Sequence, residues 1–506
     1  MLIRPRPYRI TFFFLIIFTF FTTIAVSDLG NTETSDGLQW LHKKIDHALT
    51  TSILKNAAVG IQIVSVDSGE IIYERNPERS LNPASNTKLI TSAAALVHLT
   101  PQYRFHTSVY TPARLKNGTL QGDLYLKGGG DPVLTYEALI ALAQEVYNAG
   151  VRSIAGDIVG DDSFLDAERE FSGWHDFDRP YSGKMSALSL YENEVRLLIH
   201  PSHRSGLPAQ ITLTPPTSYI QVRNKAVTLS SNKVYASFLP PDEDDLQDGM
   251  PSQETLLVQG KISRKSRYGV SASINVDNPS LFTTTTFKDA LEQVGLTIEG
   301  QARLGTVPAK SRRLARHESE PLSSIICVSN KSSSNFVAEQ LLKTLGAEVL
   351  GVPGTTAKGL QVVQEFLLEE LDVSPDSYVL ENGSGLSRNN RLSPAQIVTL
   401  LTYMYDNFAV RSEYLASLAV AGVDGTLRRR LRDTQAERRL RAKTGAIRSV
   451  SCLSGYVASR DNEILAFSIM MNDYTSGGYA VKDIQNKIGL LLTEFYRQTY
   501  NVRSEQ

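Results

Sequence analysis

The chain carries the signs of a helix and a β-hairpin near its start, and of a β-hairpin and a helix near its end. A long stretch of short β-rich runs separates the two. No other feature constrains the fold as much, because half a sheet at each end must find the other half in space. Leu38, Leu41, Ile45, Leu49 and Ile53 recur at helical spacing, which predicts an amphipathic helix. A strand over 59–66, the turn Asp67-Ser68-Gly69 and a return strand over 70–74 follow. An Ala- and Leu-rich helix is expected over 85–99. Late in the chain, a helix is expected over 335–345 and strands over 450–457 and 464–471, joined by Ser459-Arg460-Asp461-Asn462. Ile484, Ile488, Leu491, Leu492 and Phe495 then form one apolar helical stripe. The simplest solution is one discontinuous domain, a sheet layered with helices, built from 28–100 and 322–506. The stretch 101–321 is then an insertion, broken by one clear helix at 136–148. No repeat of fixed period is evident.

Composition limits the alternatives. Among 506 residues, 52 Lys+Arg balance 53 Asp+Glu, with 42% apolar and 21% charged residues. Such a chain is neither collagen, coiled coil, wholly disordered nor a polytopic membrane protein, and overall charge gives it no pull on nucleic acid. At ~150 residues per domain, the length suits roughly three domains. The cluster Pro240-Pro241-Asp242-Glu243-Asp244-Asp245 reads as a solvated loop. Cys327 and Cys452 stand far apart in apolar contexts and read as two buried thiols. A single disulfide is the alternative in an oxidising compartment. Eight histidines without HExxH spacing give no support to a metallohydrolase.

The N-terminus has the order of an export signal. Arg4, Arg6 and Arg9 come first, then an apolar run over 12–21 interrupted by Thr19, then the small residues Ala25 and Ser27. Residues 1–27 are read as a cleaved signal peptide, the run being short for a spanning helix. An uncleaved anchor is the alternative and the only expected membrane contact. Either way the protein works in the periplasm or is otherwise exported.

Three short elements carry chemistry. Ser85-Asn86-Thr87-Lys88 opens a predicted helix, so that Ser85 and Lys88 share a face. The helix dipole favours negative charge on the Ser85 oxygen, and a desolvated Lys88 can accept a proton. Ser333-Ser334-Asn335 begins a second helix, and Lys443-Thr444-Gly445 leads toward a strand. Each is commonplace alone: SxxK is usually a capping serine with a surface lysine. Together, in this order, the three describe a serine acyl-transfer site.

Longer segments agree. Pro83-Ala84-Ser85-Asn86-Thr87-Lys88, Asn330-Lys331-Ser332-Ser333-Ser334-Asn335-Phe336, Asn382-Gly383-Ser384-Gly385-Leu386-Ser387-Arg388, Asp424-Gly425-Thr426-Leu427 and Gly128-Gly129-Gly130-Asp131-Pro132 can each be matched to a family segment. With them the sequence resembles the low-molecular-mass class C penicillin-binding proteins, the D-alanyl-D-alanine carboxypeptidase/endopeptidase family, over roughly 38–496. The resemblance implies a multidomain α/β protein. Its discontinuous β-lactamase/transpeptidase-like serine acyltransferase domain would carry a large β-rich insertion, with a smaller domain nested at about 195–265. It implies a serine-type hydrolase of peptidoglycan stem peptides, acylated by β-lactam antibiotics, without metal or organic cofactor. Ser85 would be the nucleophile, Lys88 the base, and Ser333 and Asn335 their partners. Lys443, Thr444, Gly445 and Ala446 would bind substrate. The long gap from Lys88 to Ser333, and the lack of a Glu-x-x-x-Asn deacylation element, separate the chain from class A β-lactamases. Two rival readings are a wall-binding protein that keeps the fold without turnover and an esterase of the same superfamily.

Some features stay outside this scheme. Arg428, Arg429, Arg430, Arg432, Arg438, Arg439, Arg441 and Lys443 face only Asp433 and Glu437 nearby. They read as a solvated helix face and loop, or as a device that steers anionic peptidoglycan. The glycines at 128–130 lack the Gly-Lys-Ser/Thr of a nucleotide loop. Gly383-Ser384-Gly385 lacks the GxSxG pattern and reads as a tight turn supporting the site.

Overall fold

The computed structural model describes residues 36–173, 183–231, 233–238, 254–475 and 477–497. The expected signal segment 1–27 and the acidic cluster at 240–245 lie outside them. The early hairpin forms from Ala58–Ser65 and Ile71–Arg75, with Gly69 at φ 72° in its turn. The return strand runs one residue past the expected 74.

The two ends of the chain share one six-stranded sheet. Its order is Ala419–Val420, Leu440–Ile447, Val450–Ala458, Ile464–Asn472, Ala58–Ser65, Ile71–Arg75. The closing contact is antiparallel, from Ala58 opposite Asn472 to Ser65 opposite Leu465. Ile61 and Ile63 leave water completely on one face, against Leu41 and Ile45 of the helix Asp36–Leu49 and Ile488 and Leu492 of the helix Gly478–Glu494. Each such side chain stabilises the fold by about 1.5–3 kcal/mol on burial. On the opposite face the helix Pro394–Asp406 packs on the sheet, and the helices Thr87–Leu99, Asn335–Leu350 and Thr356–Leu371 complete one apolar core with it, through Ile397, Leu89, Val337 and Val362. Capping stops and starts these helices. Ser393 and Gln396 form a reciprocal capping box before Pro394, and Gly351 at φ 88° ends the helix begun at Asn335.

The middle of the chain builds sheets of its own. A five-stranded sheet runs Ala302–Leu304, Ile158–Asp161, Leu124–Gly128, His106–Thr111, Arg312–Glu318. The helices Tyr136–Asn148 and Pro279–Gln293 pack with it. Two three-stranded sheets follow: Gln210–Thr214, Glu194–His200, Val270–Asn275, and Ile220–Leu229, Glu254–Ser263, Lys233–Phe238. One apolar core is continuous from Leu126 and Phe282 to Leu256 and Val258.

Three local expectations change. The nucleophile helix is α-helical only from Thr87, and Ser85 sits in the tighter 3-10 turn Ala84–Asn86 just before it. The thiols are both free: Cys452 is buried and reaches the Asn82 carbonyl, whereas Cys327 is partly exposed. The arginine stretch is not helical beyond the short turn Gly425–Leu427, because Leu431, Asp433 and Arg438 take φ values of 58°, 58° and 65°. Among the described residues, no helix is long and apolar enough to cross a membrane.

Candidate active site

The turn that presents Ser85 is fastened on both sides. Ala84 has φ 45°, a conformation costing roughly 1–3 kcal/mol for a residue with a Cβ. Its N–H donates to Asn82 Oδ1 at 2.8 Å. The Asn82 N–H donates to Asn472 Oδ1 at 2.7 Å, at the end of the sheet strand. Asn82 Nδ2 donates to the Ser387 and Arg388 carbonyls at 3.2 and 3.0 Å. Gly385, at φ 80°, lies so close that a Cβ would stand 1.9 Å from the Ala84 carbonyl oxygen. The Gly-Ser-Gly turn thus supports the nucleophile segment from below, and only glycine fits there.

Lys88 lies one turn beyond Ser85 with no exposed surface. Its Nζ donates to Ser85 Oγ at 3.0 Å, Asn335 Oδ1 at 2.8 Å and the Ser384 carbonyl at 2.6 Å. Burial pushes its ammonium down to about 7, with the Glu339 carboxylate working against the shift. Near neutral pH the neutral amine is therefore well populated and can take the Ser85 proton.

Ser333 follows a π-turn, Val328–Ser332, and adopts φ 61°. That kink brings its hydroxyl to Lys443, whose Nζ donates to Ser333 Oγ at 2.7 Å and to its neighbour's carbonyl, Thr444 O, at 2.9 Å. Lys443 is also fully buried, and burial together with the charge on Lys88 pushes its ammonium well below the ordinary lysine range. Thr444 Oγ1 donates to Thr426 Oγ1 at 2.9 Å. A Cβ on Gly445 would stand 2.6 Å from the Pro83 carbonyl, so this glycine lets the strand approach the nucleophile loop. Ala446 is exposed one residue on. The structure thus joins Ser85, Lys88 and Asn335 in one hydrogen-bonded group and Ser333 with Lys443 in another. Ser333 and Asn335, two positions apart, link the groups. Among the described residues, no group of three His, Cys, Asp or Glu side chains is arranged to hold a metal ion. A cavity of about 700 Å³ adjoins the Asn82 loop and is lined by Arg79, Arg388, Ile447 and Arg448.

Residues 41–495 match the D-Ala-D-Ala carboxypeptidase 3 (S13) family. The chain belongs to this family. It is a serine-type D-Ala-D-Ala carboxypeptidase, a peptide hydrolase, which answers the esterase and wall-binding alternatives. A D-alanyl-D-alanine carboxypeptidase of Actinomadura sp. (strain R39) is 37% identical over 472 residues, covering 90% of this chain and 85% of the relative. The carboxypeptidase DacB of Haemophilus influenzae is 26% identical, covering 90% and 92%. Among solved structures, penicillin binding protein 4 of H. influenzae superposes with a TM-score of 0.74 at 22% identity, over 90% of this chain and 99% of that one. A predatory peptidoglycan endopeptidase of Bdellovibrio bacteriovorus does so at 0.52 and 16%, over 87% and 94%. Both share the multidomain α/β fold.

Within this S13 carboxypeptidase, several residues that hold the site escaped sequence reasoning. Glu339 is fully buried and accepts the N–H groups of Gly383 and Ser384 at 3.0 and 2.8 Å, positioning the turn whose Ser384 carbonyl holds Lys88. Its place four residues after Asn335, on the same helical face, was the available signal. Burial pushes its carboxyl up, and the bonds it accepts and the Lys88 charge pull it partly back. Glu192, from the inserted region, accepts from Ser334 Oγ at 2.7 Å, and Ser334 in turn caps the helix carrying Asn335. Glu192 sits in a run of left-handed residues, Tyr191, Glu192 and Asn193, which no periodicity announces. Lys331 pairs with Asp424 at 2.6 Å and ties the second motif to the Asp-Gly-Thr-Leu segment.

Proposed function

We propose that the residues at this site divide the work as follows. Ser85 Oγ attacks the carbonyl carbon between the two D-alanines of a stem peptide, and Lys88, as the neutral amine, takes its proton. The C–N bond breaks, the terminal D-alanine leaves with a proton passed through Ser333 and Lys443, and water then hydrolyses the acyl-serine. Asn335 holds Lys88 and the substrate amide. The Lys443 amino group and the hydroxyl of Thr444 receive the terminal carboxylate, with Gly445 keeping the strand close. The backbone N–H groups of Ser85 and Ala446 face the developing oxyanion. Peptidoglycan stem peptides are the substrate, cleaved at terminal D-alanine, at cross-links, or at both. β-Lactams acylate the same serine. The chemistry calls for no metal or organic cofactor. The acyltransferase domain comprises 28–100 and 322–506, with 101–321 inserted, and the protein acts after export, its signal at 1–27 removed.

The observation that carries this reading is the fully buried Lys88 amine 3.0 Å from Ser85 Oγ. The test is labelling of the mature protein with fluorescent penicillin beside Ser85→Ala. Wild type should label and the variant should not; equal labelling removes Ser85 from its role. Purified cross-linked muropeptides then separate the two peptidase activities. Free D-alanine reports carboxypeptidase action, and conversion of dimers to monomers reports endopeptidase action.

A further inference from the structure

The arginine-rich stretch before Lys443 divides into two sets. Arg430 turns inward and donates to Asn486 Oδ1 at 2.8 Å and Gln485 Oε1 at 3.2 Å, on the C-terminal helix. Arg439 also turns inward, to the Ala458 and Ser459 carbonyls. These two anchor the loop, and the left-handed residues Leu431, Asp433 and Arg438 give it an irregular path. Arg428, Arg429, Arg432, Arg438 and Arg441 point to solvent instead. Arg432 and Arg438 are 68% and 78% exposed and approach Asp433 and Glu437 only at 3.8 and 3.9 Å. Arg428, Arg429 and Arg441 have no ion pair among the described residues. Folding has thus spent two arginines on the loop and left the others exposed, three of them without an ion pair among the described residues.

Their position matters as much as their number. Side chains alternate along a strand, so Arg441 shares a face with Lys443 and Gly445, about 7 Å from Lys443 along the chain. That is the face that meets the nucleophile loop through Gly445. Arg428 and Arg429 follow Thr426, whose hydroxyl bonds Thr444. Arg441 therefore lies on the strand face that carries the site, and Arg428 and Arg429 follow directly after a residue bonded to its rim. Among residues 423–441 Val423 is the one exposed large apolar side chain, too little apolar surface to insert into a bilayer.

We propose that Arg428, Arg429, Arg432, Arg438 and Arg441 form a docking surface for the anionic carboxylates of neighbouring stem peptides on polymeric peptidoglycan. The surface holds the polymer while one peptide enters the Ser85 site. The proposal rests on the peptidoglycan reading above but can fail separately from it. Guanidinium groups suit carboxylates through paired N–H donors, and exposed charges act over roughly a Debye length, ~8 Å at physiological salt.

The test compares wild type with the combined variant Arg428→Gln, Arg429→Gln, Arg432→Gln. Both are given purified sacculi and, separately, a soluble acyl-D-Ala-D-Ala peptide. At low salt the variant should bind sacculi and release D-alanine from them about 10-fold less well, while hydrolysing the soluble peptide within about two-fold of wild type. High salt should erase the difference by lowering the wild type. Equal activity on sacculi at low salt overturns the proposal. So does wild-type binding to phosphatidylglycerol vesicles as tight as to sacculi, which would give the surface to a membrane. Failure of wild type on the soluble peptide, together with absent penicillin labelling, would instead overturn the proposed function itself.

Discussion

Two cationic regions meet at the strand Leu440–Ile447, and they differ in one physical respect. Lys88 and Lys443 are wholly enclosed and hydrogen-bonded to protein groups. Arg428, Arg429 and Arg441 stand in water. Enclosure strips solvation from an ammonium and lowers its proton affinity, so that a positive charge becomes a base. Exposure leaves a guanidinium permanently charged, and useful only at a distance. Neighbouring residues of one strand, Arg441 and Lys443, thus serve electrostatic attraction and proton chemistry respectively, according to their exposure.

The comparison is broken most sharply by moving an unyielding charge into the enclosed region. Lys88→Arg should lower penicillin acylation by about 100-fold or more, since a guanidinium cannot act as base and general-base catalysis supplies 10²–10⁴. Stopped-flow acylation would check this, and a rate near wild type would remove Lys88 as base.

The enclosed region should also respond to pH where the exposed one does not. With Lys88 near 7, acylation should rise as pH increases through about 7. Glu339 holds that value up, so Glu339→Gln should move the midpoint lower, read from the pH profile of acylation. The linkage to stability has a definite sign. The unfolded lysine keeps its proton to about 10.5, so the folded state binds fewer protons between about 7 and that pH. The Lys88 contribution to stability therefore rises with pH across this window. Urea titrations of wild type and the Lys88→Arg variant would show a steeper rise in wild type.

The smallest effect lies within the arginine stretch. Arg430→Ala removes partly buried hydrogen bonds to Asn486 and Gln485 and should cost about 1–3 kcal/mol in urea unfolding. Arg429→Ala should stay within about 0.5 kcal/mol, as surface changes do. Equal losses would mean that the inward and outward sets are not distinct.

Much of this was legible beforehand, where the signal is local. The early hairpin was readable because the chain changes direction at Asp67-Ser68-Gly69, with Gly69 free to take φ 72°. The pairing of Ser85 with Lys88 was readable because three residues make roughly one helical turn. Glu192 was not readable: its partner Ser334 lies 142 positions away, and its backbone is locally strained. Nor could composition tell Arg430 from Arg429. They are adjacent and identical, and only packing against the C-terminal helix turns one inward.

The amino-acid order alone determined the elements and the family motifs they carry, because helix faces, turns and strand alternation depend on neighbours within a few residues. The tertiary structure alone decided that Ala58 pairs opposite Asn472, that Ser333 meets Lys443, and that Lys88 loses all contact with water. Proton affinity depends on what surrounds a group in space. The reactive state of Ser85 and Lys88 therefore belongs to the closed fold, which no short stretch of the chain contains.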